Sequence, residues 1–387
     1  MDFGVPAATV EFDREVQGIL SDPRTAELIR AVHERADGMD GDVRELYRHL
    51  GAAGILAPSW PTEYGGRGLD YTATVALLEQ IVAHGIPQSL YYISVQIVGS
   101  LILQSGSEQQ KQSLLPELAG GRLTMCILFT EPEYGSDLAS VASLAVPDPD
   151  GSGWVIDGRK TYNLKSAYAD MALCAVRTDQ QTNRYQGLSL LLIPMDAHGV
   201  SVRPIRSLAD EQFHDIRLDA VRVDSAAVIG SAGSGWSLIT RLFAAERSGL
   251  DYYARATHWL DLVAARLGAN PGPGRRGLAD LARHRTRLAA SRLLTCRAMQ
   301  NLQEDRTDIA QASMAKWHCS DTAQRISWWS LEALGSQVFD PVPGKDNAVL
   351  EAAFREAPGL TISGGASEVL LDIVGGALVL DDTLSGS

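Results

Sequence analysis

The sequence predicts a mainly α protein with a central β domain: an N-terminal helical domain, a middle antiparallel β domain and a C-terminal four-helix bundle. Three observations predict it. Apolar residues recur at helical spacing from Phe12 to about Gly120, short strand-like segments fill Leu123 to about Val228, and helical spacing returns at Gly235. At 387 residues the chain exceeds the roughly 250–300 at which one hydrophobic core stops growing, so more than one domain is expected. The boundaries fall at 1–122, 123–228 and 229–387.

In the first region "VRELYRHLGAAGIL" and "TATVALLEQIVAHG" carry helical stripes, separated by turn-rich stretches such as "PSWPTEYGGRGLD". In the second, "WVIDGRKTY", "ADMALCAVRTD", "GLSLLLIPM", "VSVRPIR" and "DIRLDAVRV" read as strands. No helices alternate with them, which favours antiparallel pairing over a parallel sheet. In the third, about four long helical segments are interrupted by "GANPGPGRRG" at 268–277 and "FDPVPGKDN" at 339–347, enough for a bundle.

The composition, 45% hydrophobic and 21% charged, is that of an ordinary globular chain. A net charge of −13 argues against nucleic acid or an anionic membrane as the main partner, since both reward basic surfaces. Cys126, Cys174, Cys296 and Cys319 lack the paired spacing of a zinc site or redox dithiol and read as buried or free thiols in a reducing compartment. No basic leader with a long apolar stretch opens the chain and no run reaches ~18 apolar residues, so a cytoplasmic protein is expected.

One acid stands out. In "WSLITRLFAAERSGL", Ile239, Leu242, Phe243, Glu246 and Leu250 share one helical stripe, so Glu246 projects from an apolar face. Desolvation there raises a carboxyl pKa and suits a general base, whereas pairing with Arg247 would make a structural ion pair. Both readings stand on the helix alone. Gly364 and Gly365 in "LTISGGASEVLLDIV" precede a helix start, where free N–H groups receive an oxyanion, or else form a plain glycine turn capped by Ser367.

Other candidates are weaker. The glycines of "VIGSAGSGW" run in the wrong order for a dinucleotide loop, the eight histidines lack metal-ligand spacing, and Ser237 sits inside a helix pattern where no nucleophile is presented. Arg275, Arg276, Arg283, Arg285, Arg287 and Arg292 form the basic concentration of an acidic chain, either a phosphate-binding surface or a solvated helix face.

Taken together the segments resemble a known family. "FTEPEYGSD" looks like the flavin-contacting signature of the acyl-CoA dehydrogenases. In the same order, "WPTEYGGRGLD", "SGSEQQKQSLLPELAGG", "GRKTYNLKSAYAD", "VRVDSAAVIGSAGSGW" with "AAERSG", and "FREAPGLTISGGASEVL" are similar to further segments of that family. The resemblance implies an acyl-CoA dehydrogenase-like fold with FAD held between β domain and bundle and across a subunit interface, hence a homodimer or homotetramer. By position it implies that Phe129, Thr130 and Ser136 bind the flavin and its phosphates, and that Tyr162 covers the isoalloxazine beside Asn163 and Leu164. It adds the 364–368 loop, with Gly365, Ser367 and Glu368.

The family reaction removes the proton α to a thioester carbonyl with a glutamate while the β hydrogen leaves as hydride to flavin N5. In many members that glutamate stands where this chain has Gly364; the isovaleryl-type and long-chain enzymes supply it from the bundle helix, where this chain has Glu246-Arg247. Helical face and family position therefore both select Glu246 as base, with the Gly364 N–H left to polarise the carbonyl. An electron-transfer flavoprotein or another acceptor is implied as electron partner.

Departures point to a specialised member. Leu164 replaces a threonine near N5, Glu332 and Ser336 replace a Gln and a Gly, and the Arg-x-x-Phe-Gly element gives way to "GANPGPGRRGLADLARHR". One expectation is that the acyl group rides on an acyl carrier protein rather than CoA, as in biosynthetic relatives of secondary metabolism. The alternatives are a flavin-dependent oxidase or monooxygenase on the same fold, and a non-catalytic relative that binds acyl thioesters.

Overall fold

A computed structural model describes residues 4–34, 41–180, 182–269, 275–339 and 346–385. The N-terminal region comprises α1 (Ala7–Leu20), α2 (Pro23–Glu34), α3 (Arg44–Ala52), α4 (Tyr71–Ala83), α5 (Ser89–Tyr91), α6 (Ser100–Ser105) and α7 (Glu108–Ala119). Local chemistry fixes their starts: Asp70 accepts from Thr72 N at α4, and Ser107 with Gln110 forms a capping box at α7. Between α5 and α6 the chain from Tyr92 to Gly99 is π-helical, a wide and uncommon coil that recurs at functional sites. The turn before α4 is tied down by Arg67, which donates to Glu15 and to the carbonyls of Ala53 and Gly54.

Eight strands follow: β1 (Met125–Leu128), β2 (Leu144–Pro147), β3 (Gly153–Leu164), β4 (Met171–Arg177), β5 (Leu188–Pro194), β6 (Val200–Ile205), β7 (Phe213–Asp224) and β8 (Val228–Ile229). They form one sheet in the order β6-β7-β3-β2-β4-β5-β8, with β1 beside β4. Most pairs are antiparallel as expected, but β4 pairs in parallel with both β1 and β2. The β2–β3 hairpin carries the chain from β1 to β4 and so supplies the crossover that parallel neighbours need. The central strands read as continuous apolar runs because both faces are covered. Leu173 and Ala175 of β4 belong to the main core shared with the helices, while Cys174 and Val176 face a second, smaller core.

The C-terminal region contains α8 (Gly235–Glu246), α9 (Leu250–Ala269), α10 (Arg275–Gln303), α11 (Ile309–Leu334), α12 (Asp346–Leu360) and α13 (Ser367–Ser385). The four long segments are α9, α10, α11 and α13, of 20, 29, 26 and 19 residues. Helix α11 is the hub, packing against α8, α9, α10, α12 and α13. Cys126, Cys174, Cys296 and Cys319 are free thiols, and among the described residues no helix is long and apolar enough to cross a membrane.

Candidate active site

The loop after β1 is built around a buried ion pair. Glu131 accepts from Ala142 N (2.7 Å), Ser143 N (2.9 Å) and Lys160 Nζ (2.7 Å), and Lys160 also donates to Ala175 O (2.7 Å). Burial by itself would raise the Glu131 carboxyl, but the Lys160 ammonium and these hydrogen bonds hold it below the usual range. One acid of the Thr-Glu-Pro turn thus fastens the loop to β3 and β4. Thr161 N donates to Thr130 O (2.9 Å), which aligns the loop with β3.

With its backbone fastened, the loop leaves its hydroxyls uncommitted. Neither Thr130 Oγ1 nor Ser136 Oγ has a hydrogen-bond partner among the described residues, and Ser136 is exposed. Phe129 is buried beneath them. The β3–β7 register slips between Lys160 and Asn163, and there Tyr162 takes φ +55° and stands 63% exposed, its ring edge-on to Phe213. A bulge re-aims a side chain in this way, here from the sheet to the open face. Asn163 is buried; with its amide nitrogen turned to Ile127 O it donates there at 3.0 Å. Leu164, half-buried, offers no side-chain donor. An uncommitted hydroxyl at Thr130, another at Ser136 and an open aromatic face at Tyr162 fit a planar polar cofactor such as a flavin with its phosphates.

The second cluster forms where α8 meets the loop before α13. Ile239, Leu242 and Leu250 are buried and Phe243 half-buried, so Glu246 does lie on the apolar stripe. Its carboxylate makes no hydrogen bond or ion pair among the described residues. Arg247 turns away, lying over the Phe243 ring at 4.1 Å and donating from Nε to Gly364 O (3.0 Å). Tyr252 Oη donates to Ser363 O (3.4 Å), and Lys316 Nζ to Leu360 O (2.9 Å) and Gly365 O (2.8 Å). Three side chains, from the C-terminal cap of α8, from α9 and from α11, therefore hold the loop by its carbonyls.

Gly364 has φ +66°, and a Cβ placed on it would lie 3.1 Å from Tyr252 Oη and 3.4 Å from Glu246 Oε1. Glu246 and position 364 thus address one point in space. The Gly364 N–H donates to no group among the described residues. Burial raises the Glu246 pKa, opposed by the charges of Arg247 and Lys316. Burial likewise brings the Lys316 ammonium down to about 7, with Glu246 opposing the shift. Ser367 Oγ donates to Thr361 O (3.3 Å) and closes the loop rather than capping α13, where Glu368 is exposed in the first turn.

The two clusters are connected through buried charge. Lys165, which follows Leu164, pairs with Glu211 (3.8 Å), and Ser89 Oγ donates to Glu211. Next to Ser89, Gln88 Nε2 donates to Asp251 (2.9 Å), and Asp251 holds Arg255, which reaches Glu356 (3.2 Å). Tyr252 is the neighbour of Asp251.

Among the described residues, the arginines of the basic run are each paired with an acid. Arg283 pairs with Asp280, Arg285 with Asp261 (2.6 Å), Arg287 with Asp321 (2.5 Å) and Arg292 with Glu79 (3.8 Å). The side chains of Arg275 and Arg276 lie outside the described residues. Sequence reasoning missed Tyr252 and Lys316. Lys316 carries the same signal as Glu246, a charge on a buried stripe with Ala312, Ala315, Cys319 and Ala323.

The chain matches three family models: acyl-CoA dehydrogenase N-terminal domain over residues 22–122, middle domain over 126–221 and C-terminal domain over 233–379. It is 31% identical over 326 residues to acyl-CoA dehydrogenase IpdE1 of Mycolicibacterium smegmatis, covering 80% of this chain and 83% of that one. The solved Tcur3481-Tcur3483 steroid ACAD is 30% identical, with a TM-score of 0.85 over 98% of this chain and 99% of the other. The ChsE4-ChsE5 complex from Mycobacterium tuberculosis is 25% identical, with a TM-score of 0.81 over 97% and 98%.

Proposed function

Because the chain belongs to the acyl-CoA dehydrogenase family of flavoprotein oxidoreductases, we propose that it oxidises an acyl-CoA thioester to the α,β-unsaturated product with Glu246 as the base. The observation that carries this reading is the uncommitted Glu246 carboxylate, 3.4 Å from where a side chain at Gly364 would begin.

In this reading the thioester carbonyl lies against the loop at 364. Its oxygen accepts from the Gly364 N–H, which stabilises the negative charge that develops as the α proton leaves. Glu246 takes that proton; its raised pKa brings its basicity nearer to the demand of the task. Arg247, Tyr252 and Lys316 position the loop through its carbonyls. FAD, bound at Thr130, Ser136 and Tyr162, supplies the two-electron acceptor for the β hydrogen. Leu164 leaves that acceptor without one family hydrogen bond. Since each described arginine of the 283–292 segment is matched by an acid, CoA is favoured here over an acidic carrier protein. An oligomer completing the cofactor site and an electron-transfer flavoprotein as acceptor belong to the same reading.

The test is product chemistry. Purified protein, given FAD and an artificial electron acceptor, is incubated with short acyl groups on CoA and in parallel on acyl carrier protein. Loss of two hydrogens from the CoA thioester by mass spectrometry is the expected result. Oxygen incorporation would replace this reading with the monooxygenase, turnover on carrier protein alone would reassign the carrier, and no reaction on either would leave a binding protein.

A further inference from the structure

A cavity of about 380 Å³ lies between the N-terminal helices and the bundle, and polar side chains interrupt its mainly apolar lining. Its wall includes Ala245, the residue before Glu246, and Tyr92, whose hydroxyl meets Ser248 Oγ at 3.0 Å and Ala245 O at 3.4 Å. The π-helical stretch and α6 place Tyr92, Gln96, Ser100 and Gln104 at successive steps of four, so the wide coil presents one face to the cavity. Met299 and Leu302 of α10, with Trp60, supply an apolar counterface.

Three of the polar residues on this wall are not consumed by the fold. Tyr71 Oη, Ser100 Oγ and the Gln104 amide have no hydrogen-bond partner among the described residues. Gln303 uses its oxygen on Tyr71 N (2.7 Å), which leaves its amide nitrogen at the rim. A plain alkyl chain filling this cavity would strip water from three or four polar groups and return nothing.

We propose that this cavity receives the far end of the acyl group and selects acyl groups bearing a hydroxyl or keto oxygen there over unsubstituted chains. The inference rests on the dehydrogenase reading and names the substrate class of that site. Trp60, Met299 and Leu302 cover the hydrocarbon part, while Tyr71, Ser100 and Gln104 meet the oxygen. A site built to hydrogen-bond a substrate oxygen discriminates strongly against the analogue that lacks it.

Three probes test it with the FAD-loaded full-length protein: butyryl-CoA, octanoyl-CoA and 7-oxo-octanoyl-CoA. Turnover gives kcat/KM and calorimetry gives Kd independently. The expected result is a preference for the oxo compound over octanoyl-CoA of about tenfold or more in both quantities. In Y71F/Q104L that preference should collapse in both quantities while the melting temperature stays near that of the wild type. Equal values for the matched pair, or a preference that survives in Y71F/Q104L and in S100A, would overturn the proposal. Failure of butyryl-CoA and both longer thioesters to react would instead remove the dehydrogenase reading, and an intact Kd preference would then keep the cavity as a recognition site for oxygenated acyl groups.

Discussion

At the residue scale, Glu246 and Gly364 define each other. The α8 stripe delivers a carboxylate to the point where a side chain at 364 would begin, so the base can come from only one of the two positions. E246Q is expected to lower kcat by about 10²–10⁴-fold, the usual contribution of a positioned base, with thermal unfolding near wild type. Since burial raises the Glu246 pKa, the rate should fall on acidification at a pH above the ordinary glutamate value of 4.5. The Lys316 charge lowers the Glu246 pKa, so K316M should move that acid limb to higher pH, readable in a kcat profile. G364A should crowd the carboxylate and strain a backbone at φ +66°, costing about 1 kcal/mol of stability and roughly tenfold or more in kcat. Glu246 was legible in the sequence because a charge on an apolar stripe breaks a pattern. Tyr252 was not, since a tyrosine on a buried helix face breaks none.

At the element scale, the helical segments and most strands are visible as changes of period. Pairing is another matter: the parallel neighbours of β4 and the slip between β3 and β7 are long-range choices made by packing, so the exposure of Tyr162 could not be derived from its strand. The same limit hid the Glu131–Lys160 pair, whose members are 29 residues apart and whose Lys160 is fully buried. Breaking such a pair from one side leaves an unmatched buried charge. K160M and E131Q should each destabilise by about 3–5 kcal/mol in denaturant titrations. The combined E131Q/K160M variant should lose less than the sum of the two, because it leaves no charge behind.

At the scale of the whole molecule, the buried charges Lys165, Glu211, Asp251, Arg255 and Glu356 join the sheet, the N-terminal helices and the bundle. Burial pushes the Glu356 carboxyl up to about 7 from an ordinary 4.5. A carboxyl whose folded pKa is raised favours the folded state at low pH, so this stability is present below about 4.5 and is lost as pH rises towards about 7. E356Q should flatten the dependence of melting temperature on pH across that window. An unchanged slope would show that the network does not titrate there. Assembly is read from native mass: the proposed shared cofactor site requires an oligomer, and a monomer that binds FAD stoichiometrically would remove that requirement.

One measurement reaches the base assignment most directly: an anaerobic visible spectrum of the FAD-bound protein during titration with acyl-CoA, for wild type and E246Q side by side. The flavin band of the wild type should bleach on substrate addition and that of E246Q should persist. Equal bleaching in E246Q would place the base elsewhere, and a wild-type band that no acyl-CoA reduces would contradict the dehydrogenase itself.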